Sequence, residues 1–464
     1  MKLFSRHTSG LLVALGTIAA SPLLGAHAQA QENRNLFPLT LQQAMQLGQQ
    51  KAFQVRIAAA QAEEAHARAA QALGALFPRL DAEAQRVLWD AEINKATGQS
   101  WAPQFPRRVT TAALQVSQPL IGIFPLTLLA RANAMMADVA TLNAEQAQRD
   151  GALLGAQVFL TAQRAQQFFK IAESSVALVE KQKSDAEAMY RAGKLSKADL
   201  MRFELNLADA RAQKTQASVA EELALLSLSE TLQQSFSGAQ LDAPGESFFE
   251  ARKLTPPPLE EVLKTAFANR PELKAARNQV SVANLTTWAA RLDFSPSLNG
   301  FARYERDFET TGIKTRATDT PANFVLASKN DVRDKFSFGL QLKWSIWDWG
   351  IRWNKITEVV AQRSKAEIAL EQTESLLKTE VIKSYLDLKS AADLLESSLS
   401  SVLLAEEVYR LTQARFTNAQ ASSTDLILAE RDQARARGGL VNARAEVDLA
   451  WFRLRRNMGE QPIP

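Results

Sequence analysis

Two short segments of the chain carry the same pair of side chains, a serine hydroxyl and an aspartate carboxylate, at the same spacing. Ser196 is followed three residues later by Asp199, and Ser422 is followed at the same spacing by Asp425. This spacing is typical of a helix start, because both side chains satisfy free backbone N–H groups and the carboxylate faces the positive end of the helix dipole. Helix capping is therefore the first interpretation. The second is a ring of carboxylates that favours cations, which requires several chains to meet at these turns.

No other arrangement in the sequence is typical of catalysis or metal binding. His66 lies on a helix rich in Ala, Gln and Glu, where a solvated or packed role is expected. The sequence contains no HExxH, GxSxG or glycine-rich phosphate loop, and it has no cysteine, which excludes disulfides and thiolate metal sites. We expect no enzyme, no cofactor and no bound metal.

The elements that must position the two turns are very long helices. Ile351–Arg456 predicts two helices joined at Ala419–Asp425. A heptad stripe runs through Val381, Leu388, Leu395, Val402 and Tyr409, and a second stripe through Tyr385, Ala392 and Leu399. This spacing is typical of a coiled-coil seam. The limb from Ile351 to Phe416 would extend about 100 Å at 1.5 Å per residue, so the protein is expected to bridge a distance.

The chain is predicted to be an internal duplication. Residues 41–80 align without a gap to residues 259–298. After about eight extra residues in the second copy, the alignment resumes at Leu114 with Leu340 and continues through both long-helix regions, where Asp199 meets Asp425. We predict a signal peptide at 1–28, a first repeat at 29–236, a Gly- and Pro-rich linker at 237–258, a second repeat at 259–458 and a tail at 459–464. Each repeat is expected to contain one shorter helix (Leu41–Gly74 and Leu259–Arg291), two strands and a long helical hairpin.

Alternating apolar and polar residues follow each shorter helix. The apolar series are Phe336, Phe338, Leu340, Leu342, Trp344 and Ile346; Leu298, Gly300, Ala302 and Tyr304; Ala112, Leu114, Val116 and Leu120; and Leu80, Ala82 and Ala84. Period two over about ten residues favours transmembrane β-strands, and a soluble half-buried sheet is the alternative. Phe336, Tyr304, Trp344 and Trp347 are expected at the membrane interface.

Four strands are too few to close a barrel, and an open sheet edge is unfavourable in lipid. Closure therefore predicts several chains, and three would give 12 strands and a water-filled pore. The loops Ala91–Pro106 and Glu309–Asn330 are expected to face the outside of the cell.

The N-terminus predicts export. Lys2, Arg6 and His7 precede the apolar run Leu11–Ala20, and Ala26–Ala28 offers a small-x-small cleavage site, with Ala28–Ala30 as a second such site. An N-terminal membrane anchor is the alternative to a cleaved signal peptide. The formal net charge of +4 includes two cations of the leader, Lys2 and Arg6. The remaining positive charge of the mature chain is too small to indicate a nucleic-acid partner.

The sequence resembles the TolC family of outer-membrane efflux and secretion channels. The resemblance is carried by Leu259–Ala266 with Asn269–Ala276, by Leu39–Ala44, and by the aromatic-Asp-Gly junction Trp347–Gly350. It implies a homotrimer with a 12-stranded barrel in the outer membrane and a periplasmic helical tunnel. It also implies docking to a periplasmic adaptor (membrane fusion) protein and an inner-membrane pump.

The resemblance further implies a closed-state latch between a first-copy Asp and a second-copy Tyr and Arg. Asp199 is present, but Phe416 and Ala421 stand at the matching second-copy positions, so Arg415 or Glu430 would have to substitute. The predicted function is the exit duct for small molecules such as drugs. The alternatives are the exit channel of type I protein secretion and, in a different class, a secreted coiled-coil scaffold without a pore.

Overall fold

The computed structural model describes residues 39–88, 108–236, 241, 247–308, 334–418 and 420–461, and in this part of the chain one order of elements occurs twice. The first series is α1 Leu41–Lys51, α2 Phe53–Gly74, β1 Arg79–Leu88, β2 Arg108–Ile121, α3 Ile123–Arg191 and α4 Lys197–Leu232. A short helix, α5 Phe248–Ala251, follows. The second series is α6 Leu259–Asn269, α7 Pro271–Leu292, β3 Ser297–Asp307, β4 Asp334–Lys343, α8 Ile351–Thr417 and α9 Ser423–Asn457. The predicted mainly helical, duplicated fold with a β portion is confirmed. The proposed leader and the strand-linking loops lie outside the described residues.

The shorter helix of each repeat is interrupted, and our prediction of one continuous helix was wrong. Ala52 separates α1 from α2 with ψ 137°, and Arg270 separates α6 from α7 with ψ 125°. At the second site the cause is Pro271, because a proline disfavours helical geometry in the residue before it. Ala52 adopts the same extended geometry without a following proline. The helix starts agree with prediction: Thr40 forms a capping box with Gln43, and Pro258 precedes α6.

The four strands form one antiparallel sheet in the order β1-β2-β3-β4, so β1 and β4 are its edges in the single chain. Its register places the apolar series of all four strands on one face, in rows such as Ala82, Leu114, Tyr304 and Phe336. The opposite face carries rows such as Asp81, Gln115, Arg303 and Ser337. The eleven-residue alternation overestimated β4, which ends at Lys343, so Trp344 and Ile346 lie beyond the strand.

The two longest helices, α3 with 69 residues and α8 with 67, each follow a glycine with positive φ, Gly122 or Gly350. Gly122 joins α3 directly to β2, whereas residues 344–350 separate β4 from α8. At 1.5 Å per residue each helix extends about 100 Å. In the predicted α8 stripe, Val381, Leu388, Leu395 and Tyr409 are buried. The coiled-coil seam is therefore confirmed. In the described part of the chain, α3 is also long enough and apolar enough to cross a membrane. This is weak evidence for a membrane span, because core helices of soluble proteins meet the same criteria.

The long helices pack side by side in the order α4, α3, α9, α8. The helix α4 therefore lies at one side of the layer and α8 at the other. Both side helices leave large apolar residues exposed: Met201, Leu205, Leu223 and Leu226 on α4, and Leu386, Leu394, Leu404 and Leu411 on α8. The sheet and the helical layer thus both end in surfaces that the described part of the chain does not cover.

Candidate functional site

The two Ser–Asp pairs lie at the first turns of α4 and α9, where each serine is the N-cap residue. The Asp425 backbone N–H donates to Ser422 Oγ at 3.1 Å, and the Ser422 backbone N–H donates to Asp425 Oδ2 at 2.9 Å, which completes a capping box. The Asp199 backbone N–H donates to Ser196 Oγ at 3.1 Å. The capping interpretation is confirmed by these bonds.

A second set of bonds joins the two helix starts to each other. Ser423 Oγ donates to Asp199 Oδ1 at 2.6 Å across 224 residues of sequence. Arg202 donates to Thr424 Oγ1 at 3.0 Å and to Asp199 Oδ1 at 3.3 Å. We call these four residues, Asp199, Arg202, Ser423 and Thr424, the turn bridge. The turn bridge connects the hairpin of the first repeat to the hairpin of the second.

Both turn aspartates are held in the ionised form. The Ser196 hydroxyl, followed by the Ser423 hydroxyl, lowers the pKa of Asp199, and nearby Arg202 adds to this effect. The Ser422 backbone N–H, followed by its hydroxyl, lowers the pKa of Asp425. Asp199 therefore places a charge between the hairpins at neutral pH. Asp425, which has no partner on the other hairpin among the described contacts, carries its charge on its own turn.

Phe416 contributes to the turn region by packing. Its ring is 8% exposed and meets Phe203 edge-on with centroids 5.7 Å apart. The surrounding cluster contains Ala186, Tyr409 and Leu426. The position that the resemblance assigned to a latch tyrosine is thus filled by an apolar contact between α8 and α4.

The residues considered as substitutes for the latch have different surroundings. Glu430 is buried and accepts a hydrogen bond from Ser175 on α3. Arg415 is exposed in the last turn of α8. Sequence reasoning missed Ser423 and Arg202. The available signals were a second hydroxyl beside the cap Ser422 and an Arg three residues after Asp199, but neither predicts a contact between distant turns.

A buried and an exposed polar contact continue the link between the repeats away from the turns. Gln182 donates to the Tyr409 hydroxyl at 3.1 Å, and burial raises the pKa of Tyr409. Arg431 on α9 donates to Asp209 on α4 at 3.0 Å. Within the described residues no group of three His, Cys, Asp or Glu side chains is arranged to hold a metal ion.

The four aromatics assigned to the membrane interface lie at or just beyond the ends of the sheet and are exposed. Tyr304 and Phe336 are paired neighbours near the end that carries the strand-linking loops. Trp344 and Trp347 lie at the other end, where Trp344 Nε1 donates to the Phe294 carbonyl at 3.3 Å. Their depth in a membrane stays a prediction.

The junction motif Trp347–Gly350 has a local structural role. Asp348 accepts the backbone N–H of Gly350 at 3.2 Å and the side chain of Arg352 at 2.7 Å. Trp349 adopts φ 54° and Gly350 adopts φ 82°. The aspartate thereby stabilises the tight passage from β4 into α8.

Comparisons with known proteins agree with this architecture. Residues 262–460 match the sequence profile of the family described as Outer membrane efflux protein. No curated protein matches the chain by sequence. The fold is similar to the CmeC outer membrane channel of Campylobacter jejuni, with a TM-score of 0.74, 14% identity, 90% of this chain covered and 85% of that one.

Two further solved structures show the same likeness. VceC, an outer membrane protein of Vibrio cholerae, has a TM-score of 0.71 at 16% identity, with 90% of this chain and 96% of that one covered. The open-state MtrE outer membrane channel of Neisseria gonorrhoeae has a TM-score of 0.69 at 17% identity, with 91% and 89% covered. At such identities these likenesses show the fold.

The helical layer and the sheet form the fold seen in outer-membrane channels, and residues 262–460 match the outer membrane efflux protein family. The second repeat carries an outer membrane efflux protein domain, and the resemblance to the TolC family drawn from the sequence is confirmed. Because the matched family and these structures are channels, the prediction that the chain is not an enzyme is also confirmed.

Proposed function

We propose that three copies of this chain form an outer-membrane channel with a long periplasmic tunnel. The observation that carries the proposal is the four-stranded sheet with two free edges, one apolar face and one polar face. Free edges are excluded from lipid, so a sheet with a lipid-facing side must close. Pairing of β4 with the β1 strand of the next copy closes a 12-stranded barrel around a polar lumen.

The long helices support the same three-fold closure. The side helices α4 and α8 expose apolar residues along their length, and closure of the ring would place α8 of one copy against α4 of the next. Such a contact would bury the large apolar patches that soluble proteins rarely leave exposed. The helices would then surround a tunnel that continues from the barrel, with the turn bridges at its far end.

The turn bridge is proposed as the latch of the closed tunnel. Asp199, Ser423 and the contact of Arg202 with Thr424 connect the two hairpins of one chain. Opening of the tunnel end requires the hairpins to separate, so these bonds would stabilise the closed state. Asp425, with its charge on the same turn, is proposed to line the entrance and to favour cations.

In this proposal the trimer is the exit duct of a tripartite efflux system. A periplasmic adaptor protein would connect it to an inner-membrane pump, and the cargo would be small molecules such as drugs. Type I protein secretion is the competing assignment. Loss of the gene is expected to increase sensitivity to amphipathic drugs; unchanged drug sensitivity together with loss of one secreted protein would reverse the assignment.

Strand pairing between copies tests the trimer. The sequence has no cysteine, so single cysteines can be introduced without background. Asp81→Cys on edge strand β1 is combined in turn with Ser337→Cys, Gly339→Cys or Gln341→Cys on edge strand β4, all on the polar face. One combination should give cross-linked products that stop at three chains, whereas Asp81→Cys alone should give none. The absence of any cross-link in all three combinations, or products beyond three chains, would contradict the proposal.

A further inference from the structure

The apolar face of the sheet carries its described charges at one end only. In the rows from Leu298 to Tyr304 this face is uncharged, whereas the last rows contain Arg86, Arg306 and Asp334. That end carries the strand-linking loops, and the opposite end continues into the long helices. In the proposed channel these charges would therefore lie at the outer rim of the barrel, on its lipid side.

The two arginines at this rim are exposed. Arg306 is 51% exposed and lies 3.7 Å from Asp334, whose Oδ1 also accepts the Tyr304 hydroxyl at 2.8 Å. The Arg306 guanidinium is also 5.9 Å from the centre of the Phe308 ring. Arg86 is exposed and has no acidic partner in the part of the chain that the structure describes. These described residues therefore give the rim two positive charges and one negative charge.

The position of the charges matches the depth of lipid headgroups. Leu298 and Arg306 are eight residues apart on β3, or about 26 Å along the strand at about 3.3 Å per residue. With a strand tilt of about 40° this corresponds to a height of about 20 Å, close to the apolar band of outer-membrane barrels. An arginine on the lipid face costs several kcal/mol at the midplane but little at the interface. The band thus ends where the arginines begin.

We propose that Arg86 and Arg306 bind the phosphates of a glycolipid in the outer leaflet, a proposal that rests on the outer-membrane function above. The register places Arg86 two strands away from Arg306 and one row further out, so their Cα atoms are about 12 Å apart. This spacing fits a disaccharide headgroup with two phosphates better than a phospholipid with one. Guanidinium groups bind phosphate oxygens through paired, charge-assisted hydrogen bonds, and the nearby Phe308 and Tyr304 rings would contact the sugar and upper acyl chains.

The test measures lipid retained by purified trimers. The variant Arg86→Gln/Arg306→Gln removes two positive charges from the apolar face. The matched control Arg303→Gln/Lys335→Gln removes two from the polar face at similar height. Each protein is extracted from outer membranes in mild detergent, its trimer is checked by electrophoresis of unheated samples, and bound lipopolysaccharide and phospholipid are quantified by native mass spectrometry.

We expect the apolar-face variant to form trimers that retain roughly tenfold less lipopolysaccharide, because each arginine near an anionic lipid surface contributes to binding. The control should retain as much as the unchanged protein. Equal retention by both variants would overturn the glycolipid site while leaving the channel intact. Retention of phospholipid alone by the unchanged protein would also overturn it. Absence of the unchanged protein from the outer membrane would instead overturn the proposed function, and the glycolipid site with it.

Discussion

The adjacent residues Ser422 and Ser423 allow helix capping to be separated from latching. Ser422 is the N-cap of α9 and bonds only within its own turn, whereas Ser423 donates to Asp199 of the other hairpin at 2.6 Å. Ser423→Ala should therefore weaken the connection between the hairpins while leaving the helix cap in place. Ser422→Ala should weaken the cap and leave the connection.

The stability that the closed tunnel loses in the Ser423→Ala variant follows from the type of bond removed. A hydrogen bond to a charged group contributes about 1.5–3 kcal/mol. The Asp199 side chain is 29% exposed, so water can partly replace the lost donor and the lower value applies. A loss of about 1.5 kcal/mol per chain increases the ratio of open to closed tunnels about tenfold. The factor is larger if the three chains of the proposed trimer open together.

The assay is the single-channel current of purified trimers in planar bilayers. We expect the Ser423→Ala channel to spend about ten times more time in conducting states than the unchanged protein, and the Ser422→Ala channel to change much less. Equal behaviour of the two variants, or no increase for Ser423→Ala, would refute the role of the turn bridge as a latch.

Three further predictions concern the entrance, the barrel and a buried carboxyl. Asp425→Asn keeps a good helix cap but removes the charge, so the channel should lose cation preference; an unchanged reversal potential across a salt gradient would place selectivity elsewhere. Phe338→Arg, in the middle row of the apolar band, should cost about 2–4 kcal/mol on the lipid face and Ser337→Arg much less; equal effects on trimer yield would mean that the assignment of the lipid face is wrong. Burial raises the pKa of Asp448 to about 6, although its two oxygens accept backbone N–H groups of α5. Because the folded protein holds this proton more tightly than the unfolded chain, the Asp448 contribution to stability should decrease as the pH rises from 4 to 6, and Asp448→Asn should remove that slope from melting temperatures.

Periodic patterns within single helices and strands made much of this fold predictable. The heptad stripe of α8, the alternation on the strands and the repeated Ser–Asp caps are all local patterns that a single element imposes on its own sequence. The interruption at Arg270 had a local signal in Pro271. The equivalent interruption at Ala52 had none, because alanine is compatible with an uninterrupted helix.

The turn bridge could not be predicted in the same way. Its hydrogen bond joins Asp199 to Ser423, and the pairing depends on how two hairpins lie against each other rather than on either turn. The resemblance implies a latch at positions 416 and 421, but the structure places Phe416 in an apolar cluster with Phe203. The residues that connect the hairpins lie beside the caps, where each has the sequence pattern of an ordinary helix-start residue.

The number of chains in the membrane complex tests the central claim most directly. Native mass spectrometry of the unheated complex, extracted from the outer membrane in mild detergent, measures that number without any variant. Closure of a four-stranded sheet into a 12-stranded barrel predicts three chains, which should separate into single chains on heating. A complex of one or two chains, or a protein absent from the outer-membrane fraction, would contradict the proposed channel.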